Sequence, residues 1–261
     1  MVRTLLIRGM LVGLVAGLLV FGFGKLFGEP QVDRAITFET AMDAAKAKAD
    51  MAKGMPMPLD EPELVSRAVQ AGLGLFTGVA VYATAFGGLF ALVFAFAYGR
   101  VGDLSPRTVS ALLAAGGIVA LYLVPNLKYP ANPPSVGDPD TIGMRTGFYF
   151  LMMLISIAAM VAAILVRQRL APRHGGWSAS LIGAAGYVVV VVIAANFVLP
   201  VVNEVPRAFP AVVLWRFRMA SLGMQAIMWT TIGLLFGWLT ERAVARRSGL
   251  PAAGRLRSAL N

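Results

Sequence analysis

Six long apolar runs dominate the chain and limit what it can fold into. A helix needs about 20 predominantly apolar residues to cross the hydrocarbon of a bilayer. Only 14% of the residues are charged, against about a quarter in soluble domains, and the mean hydropathy is +0.74. The pattern predicts an all-α polytopic membrane bundle of about six transmembrane helices, arranged as three hairpins. The predicted spans are residues 9–27, 68–98, 108–124, 147–166, 179–199 and 219–239.

The distribution of positive charge predicts the orientation of this bundle. If both termini are cytoplasmic, one side carries the whole net charge of +10, because the arginines of the termini and of two turns fall there. Cytoplasmic loops are enriched in Lys and Arg. Topology therefore accounts for the pI of 10.5 without nucleic-acid binding. No small-residue cleavage site follows the first run, so we expect a retained anchor rather than a signal peptide.

We expect a single integral membrane domain, residues 1–261, with two distinctive segments. Residues 28–67 are predicted to form an extracytoplasmic helical insertion, and residues 241–261 a basic cytoplasmic tail. Within the insertion, the Ala-rich and charged residues 32–53 predict a water-facing helix that ends at Gly54.

Two patterns in the insertion each have two interpretations. A charged stripe on the helix is either a solvated face with ion pairs or an acidic surface that attracts cations. It comprises Glu39, Asp43, Lys46 and Asp50. Three methionines are either apolar filler or soft ligands for Cu(I). They are Met51, Met55 and Met57.

Glycine spacing predicts where helices approach each other closely. Two of the runs carry glycines four residues apart, which lets another backbone come near. These are Gly9, Gly13 and Gly17 in the first run, and Gly233 and Gly237 in the last. The second run is about 46 Å long as a helix, so it is predicted to tilt or to break at Gly87-Gly88.

Three predicted outer connections begin in a similar way. The first, third and fifth runs end in GEP, LVP and VLP, at Pro30, Pro125 and Pro200. Proline fixes φ and lacks a backbone donor, so we expect each helix to end there. The stretch 123–150 holds five prolines and many polar residues, which predicts a rigid structure at the membrane face rather than a flexible connector.

The outer loops carry oxygen-bearing side chains that can replace part of a cation's hydration shell. A polar residue in hydrocarbon is costly unless paired, so Asn196 is predicted to face another helix or a wet cavity. Arg145 either pairs with the carboxylates or orients lipid headgroups. The predicted substrate- or ion-binding residues are Asn126, Asn132, Asp138, Asp140, Arg145, Asn196, Asn203 and Glu204. The candidate metal ligands among them are Asp138, Asp140 and Glu204.

The sequence offers little for catalysis or for a resident cofactor. It has no cysteine and one histidine, His174, which excludes thiolate sites and histidine clusters within the chain. His174 lies in a predicted basic turn, where a ligand role is not expected. Phosphate-binding loops and hydrolase motifs are missing from the sequence. We therefore expect no enzymatic activity and no cofactor.

Three blocks of the sequence resemble the CbtA family, bacterial membrane proteins proposed as cobalt transporter subunits. The blocks are RTLLIRGMLVGLVAGLL with FGEPQVDRAI, LVPNLKYPANPPSVGDPDTIGMRTGFYF, and NFVLPVVNEVP. The resemblance implies cobalt uptake for cobalamin synthesis at the bacterial inner membrane. It also implies a small single-span partner, CbtB, whose histidine-rich tail would supply the imidazoles missing here. Five spans are described for the family; the long second run and the short third run are where the two counts can differ.

Three functions remain open at this point. In the first, the bundle passes Co²⁺ or a similar divalent ion from the outer loops to the cytoplasm. In the second, the chain is a non-transporting membrane scaffold that stabilises another membrane protein. In the third, it carries a larger cobalt-containing or organic solute. Self-association into a homo-oligomer is compatible with each.

Overall fold

The computed structural model describes residues 2–54, 64–134, 136–137 and 140–247. Within this part of the chain 85% of the residues are helical and none lies in a strand. The predicted all-α class is therefore confirmed. Five of the described helices are long and apolar enough to cross a membrane. They are α1 (Val2–Ala52), α2 (Arg67–Ala97), α3 (Pro106–Lys128), α4 (Ile142–Val198) and α5 (Ala211–Arg247).

Helix α4 contains two of the predicted runs, because it folds back on itself at Gly175. This residue has φ 77° and ψ 155°, a conformation that is nearly exclusive to glycine. Arg167 Nε donates to Ser180 Oγ at 2.9 Å, and the hydroxyls of Ser156 and Tyr187 lie 2.8 Å apart. In these pairs, the residue number in the second half of the helix decreases as the residue number in the first half increases. The two halves are therefore antiparallel, and the five helices cover the six predicted runs except for Tyr98 and Leu199.

The prolines predicted to end the first and third runs do not end α1 or α3. A π-helical turn comes before each: Gly24–Gly28 before Pro30, and Ile118–Leu123 before Pro125. In an α-helix, a proline ring clashes with the carbonyl group four residues earlier. That carbonyl also receives no hydrogen bond from the proline, because proline lacks an N–H. A π turn changes the hydrogen-bonding pattern at that carbonyl. The helix therefore passes the proline, and α1 continues to Ala52.

The third proline does lie beyond a helix end. The same kind of turn, Ala194–Val198, precedes Pro200, but Leu199 then takes extended backbone angles of φ −97° and ψ 131°. The chain runs without regular structure until α5 begins at Ala211.

The predicted break in the second run is not found, since α2 passes through Gly87 and Gly88 without interruption. These glycines instead allow α1 and α2 to pack closely. A Cβ atom built on Gly87 would lie 2.2 Å from the carbonyl oxygen of Gly9, and one on Gly13 would lie 2.2 Å from that of Ala83. The close approach predicted from glycine spacing in the first run is confirmed. The glycines in α2 serve packing rather than bending.

The chain divides into two compact units. The first comprises Met1–Lys25, Val65–Gly116 and Gly223–Asn261; the second comprises Leu26–Leu64 and Gly117–Leu222. Each unit has its own buried core.

The core of the first unit is aromatic where α2 meets α5. The ring of Phe236 packs edge-to-face against Phe90 and Phe94, with centroids 5.6 and 5.1 Å apart. Helix α3 joins through Ser110, whose hydroxyl donates to the carbonyl of Gly233 at 2.6 Å. A Cβ on Gly233 would lie 2.5 Å from that of Ala114, which confirms close packing at this glycine.

The core of the second unit has two clusters. One surrounds Tyr129 and Met152, both almost fully buried. The other joins Ala35 on α1 to two loop residues, Val136 and Phe209. The helix predicted over residues 32–53 is therefore confirmed, but it is packed at its start and becomes water-facing only later. Residues 41–46 are all exposed.

Candidate functional site

An open cavity of about 690 Å³, with a mixed polar and apolar lining, lies in the second unit. It is lined by residues from α1, the proline-rich loop, the start of α4, the loop before α5, and α5 itself. The polar lining residues are Glu39, Asn132, Arg145 and Glu204. Asn132, Arg145 and Glu204 are three of the eight residues predicted as a site, and the fold brings them together from distant parts of the sequence.

Glu204 is the most buried ionisable side chain of this site, at 2% exposure. Thr141, the residue before α4, donates its hydroxyl to Glu204 Oε1 at 3.0 Å. The Nε atom of Arg145 lies 3.6 Å from Oε2. A buried carboxylate is costly unless it is paired and hydrogen-bonded. The threonine and the arginine together explain why this glutamate can be buried.

Two arginines hold the proline-rich loop in place through its carbonyl groups. The guanidinium of Arg145 donates to the carbonyl of Pro130. Arg218, on α5, donates to the carbonyl of Ala131 and to the side-chain oxygen of Asn132, each at 3.1 Å. Proline prevents this loop from satisfying its carbonyls with regular backbone bonds. Donors from α4 and α5 therefore add to the prolines as restraints on this loop.

Tyr129 connects the beginning of the same loop to Pro200, two residues beyond the end of α4. Its side chain is 2% exposed, and its hydroxyl donates to the carbonyl of Pro200 at 2.7 Å. Burial raises the pKa of the Tyr129 phenol above its usual value. The phenol therefore keeps its proton, and the bond to Pro200 is maintained at neutral pH.

Two predicted asparagines are used inside the loops and do not line the cavity. The side-chain oxygen of Asn126 accepts from the amide of Ala131 at 3.1 Å. That of Asn203 accepts from the amide of Val205 at 3.3 Å. Both bonds are local and shape the backbone of these segments.

The remaining predicted residues lie apart from the cavity or outside the described residues. Asn196 donates to the carbonyl of Val192 on its own helix at 2.9 Å. This carbonyl is one turn away and within reach of the short side chain, and the orientation of Asn196 toward another helix or a wet cavity stays a prediction. Asp140 is exposed just before α4. Asp138 lies outside the described residues.

Sequence reasoning missed Thr141 and Tyr129 as parts of this arrangement. Thr141 stands immediately before a helix, where hydroxyl residues are favoured, so its position carried a signal. Tyr129 carried none, because a tyrosine among prolines also fits an exposed loop. The sequence indicates Glu39 only as part of a charged stripe, because nothing in it relates α1 to the later loops.

The electrostatics of the cavity combine two guanidinium groups with one buried carboxylate and Glu39. The oxygens of Glu204 face Thr141 and Arg145, and that of Asn132 accepts from Arg218. Within the described residues, no group of three or more His, Cys, Asp or Glu side chains is placed to hold a metal ion. A cation entering this cavity would compete with the arginines for the same oxygens.

Five membrane-capable helices, joined by polar loops that pack into a defined structure, make this a multi-pass helical membrane protein. A family model described as a probable cobalt transporter subunit, CbtA, matches residues 2–241. The chain therefore belongs to the CbtA family, and the resemblance noted in the sequence is confirmed. A transporter subunit implies partner proteins and a metal ion. No curated protein and no solved structure shows significant similarity to the chain.

Proposed function

We propose that this protein is the membrane subunit of a cobalt uptake system in the bacterial inner membrane, serving cobalamin synthesis. The observation that carries the proposal is the family match over residues 2–241. Five apolar helices, one of them a hairpin, provide the bundle that an ion carrier in a membrane requires. Cobalt is the cargo of this system rather than a cofactor, and the chain itself is proposed to have no enzymatic activity.

The proposed topology has six crossings, with the hairpin of α4 supplying two. Both termini and the corner at Gly175 lie on the arginine-rich, cytoplasmic side, as the positive-inside rule favours. The proline-rich loop and the loop before α5 then face outward. Each 100 mV of membrane potential, negative inside, would make entry of a divalent ion more favourable by about 4.6 kcal/mol, since each charge contributes about 2.3 kcal/mol.

The outer loops are proposed to receive the ion through oxygen donors. Glu39 and Glu204 line the cavity, and Asp140 is exposed beside the start of α4. Carboxylate oxygens suit a hydrated divalent cation, which can exchange some of its waters for them. Asp138 and the asparagines of the predicted site complete the proposed set of donors.

A second subunit is proposed to supply nitrogen ligands. Divalent transition metals bind well to imidazole, and this chain has a single histidine. His174 is exposed next to the corner of α4, far along the sequence from the cavity residues. A small single-span subunit with a histidine-rich tail, of the kind called CbtB, fits this need.

The test is uptake of radiolabelled cobalt by cells that lack their own uptake system and express this protein with its partner. We expect Asp140→Asn and Glu204→Gln to lower uptake by about tenfold, as for loss of one ligand contact worth about 1.4 kcal/mol. The matched control is Asp103→Asn, which removes an exposed carboxylate on the predicted cytoplasmic side. All variants are checked for amount in the membrane. Equal uptake by all of them would remove the outer loops from the mechanism.

A second function is favoured by the way the cavity is built. Glu204 and Asn132 are already engaged by donors from their own chain. Such internal pairing suits a rigid surface that stabilises another membrane protein without moving ions itself.

Reconstitution separates these two functions. The chain and its partner, placed together in liposomes, should accumulate cobalt if the pair transports. If the chain is a scaffold, the liposomes will show no flux that depends on it, while its deletion in cells will lower the amount of the partner protein.

A further inference from the structure

Three arginines from two helices surround a second cavity, in the first unit. Arg8 comes from α1, and Arg242 and Arg246 come from α5. The cavity has a volume of about 420 Å³, and Trp238 and Leu239 are among its other lining residues. It belongs to a different unit from the cavity of Glu204, and the proposed ion path does not use it.

Two of these arginines are held in position by neighbouring side chains. The guanidinium of Arg242 lies over the Trp238 ring, 4.0 Å from its centroid. Stacking uses the face of the guanidinium and leaves its N–H groups at the edge to donate in plane. Arg8 donates to the hydroxyl of Thr240, a 2% exposed residue, at 3.1 Å. Such prior ordering reduces the entropy cost of binding.

The positive charges of Arg242 and Arg246 are not compensated by a neighbouring carboxylate among the described residues. Glu241, the carboxylate next to Arg242 in sequence, is paired with Arg107 at 2.6 Å. In the described part of the chain, Arg242 and Arg246 make no ion pair with a carboxylate. Arg242 and Arg246 are four residues apart on α5, so they lie on the same face of the helix. Planar guanidiniums on one face are well suited to bidentate contacts with phosphate oxygens.

A more apolar groove adjoins the arginines. It has a volume of about 550 Å³ and shares Arg8 and Leu239 with the first cavity. Ile7 and Leu11 of α1 also line it, and they are 48% and 60% exposed. A phosphate-binding end that continues into an apolar groove matches the two parts of a phospholipid. A soluble anion has no apolar chain that could occupy the groove.

We propose that this surface binds an anionic phospholipid. The headgroup phosphate sits among Arg8, Arg242 and Arg246, and an acyl chain lies along Ile7 and Leu11. Trp238 belongs at the level of the headgroups, where tryptophan is enriched. Basic pockets between helices on the cytoplasmic side are suited to anionic headgroups. The position of the cluster at the N-terminal end of α1 and the C-terminal end of α5 agrees with that placement.

The test titrates the purified full chain in detergent with dioleoyl phosphatidylglycerol, and native mass spectrometry measures lipid occupancy. Each arginine near an anionic surface is worth about fivefold in affinity, so the double variant Arg242→Ala/Arg246→Ala should bind about 25-fold more weakly. Arg169→Ala is the matched control. It removes an exposed arginine on the same predicted side, outside the cluster, and should change binding by less than about twofold.

Two further measurements test whether a variant that keeps the charge still binds the lipid and whether the ligand is a lipid rather than free phosphate. Arg242→Lys/Arg246→Lys keeps the charge but lacks the planar guanidinium, so a folded protein should bind phosphatidylglycerol more weakly than the wild type and more tightly than the double alanine variant. Excess inorganic phosphate should not displace the lipid, because it lacks an acyl chain. The proposal fails if phosphatidylcholine binds as tightly as phosphatidylglycerol, if phosphate displaces the lipid, or if Arg169→Ala weakens binding as much as the double alanine variant.

Discussion

At the scale of single residues, buried polar side chains determine how the loops of the second unit are held. Glu204, Arg145 and Arg218 connect α4 and α5 to the proline-rich loop before α4 and to the loop before α5, through carboxylate and carbonyl contacts. In a low-dielectric environment each such contact is strong when complete and costly when one partner is removed. The loops are therefore sensitive to changes that an exposed position would tolerate.

Removing Arg145 tests this sensitivity. Arg145→Ala leaves the carboxylate of Glu204, 2% exposed, with Thr141 alone. Loss of one member of a buried ion pair typically costs 3–5 kcal/mol, and we expect about 3 kcal/mol here, measured by thermal unfolding of the purified chain.

The double variant Arg145→Ala/Glu204→Gln separates charge from packing. A neutral amide costs less to bury than an unpaired carboxylate, so it should recover part of the loss. Arg216→Ala, an exposed arginine on α5, is the control and should be nearly neutral. No recovery in the double variant would mean that the Arg145 bond to Pro130, rather than the pair with Glu204, carries the effect.

At the scale of helices, three prolines share the same local geometry. Pro30, Pro125 and Pro200 each follow a π-helical turn. Such turns often occur at functional sites, and here they lead into the segments that form the cavity of Glu204. The repetition of GEP, LVP and VLP in the sequence thus corresponds to a repeated local geometry.

The features that the sequence could predict are those that depend on local interactions. Apolar runs and glycine spacing depend on one helix at a time, so the spans and the contact at Gly9 were predictable. The effect of proline was mispredicted at Pro30 and Pro125, because the same short pattern continues a helix at these two prolines and lies beyond a helix end at Pro200. Asn132, Arg145 and Glu204 could be chosen by chemistry, but their pairing with Arg218 and Thr141 depends on tertiary packing that no local pattern records.

The glycine contact between α1 and α2 gives a matched pair of substitutions. Gly87→Ala would place a Cβ 2.2 Å from a backbone oxygen, so the helices would have to separate. Overpacking typically costs 1–3 kcal/mol, and we expect about 3 kcal/mol because backbone cannot move aside as a side chain can. Gly78→Ala, on the same helix with open space around it, should be between neutral and about 1 kcal/mol stabilising. Thermal unfolding compares the two; equal losses would contradict the packing.

The corner of α4 gives a second pair, at adjacent glycines. Gly175 has φ 77° and ψ 155°, whereas Gly176 has no positive φ. Gly175→Ala should cost about 1–3 kcal/mol through backbone strain. Gly176→Ala meets nothing within 4 Å and should be tolerated. If both variants unfold at the temperature of the wild type, the chain does not reverse sharply at Gly175.

At the scale of the whole molecule, one charge asymmetry underlies the proposals about ion entry and lipid binding. In these proposals it places the arginines near the chain termini on the cytoplasmic side and the proline-rich loop outside. Cobalt entry from the loops and lipid binding at Arg242 rest on separate contacts. They share only this assignment, so the topology is the most informative property to measure.

Cysteine labelling can measure the membrane topology at single positions, because the chain has no native cysteine. The first half of α4, residues 142–174, is about 50 Å long at 1.5 Å per residue, which exceeds a hydrocarbon thickness of about 30 Å. Asp140→Cys and His174→Cys should therefore lie on opposite sides of the membrane. In intact cells, an impermeant maleimide should label Asp140→Cys, whereas His174→Cys should react only after the membrane is opened. Labelling of both from outside would show that this hairpin does not cross, and labelling of His174→Cys alone would reverse the direction of ion entry.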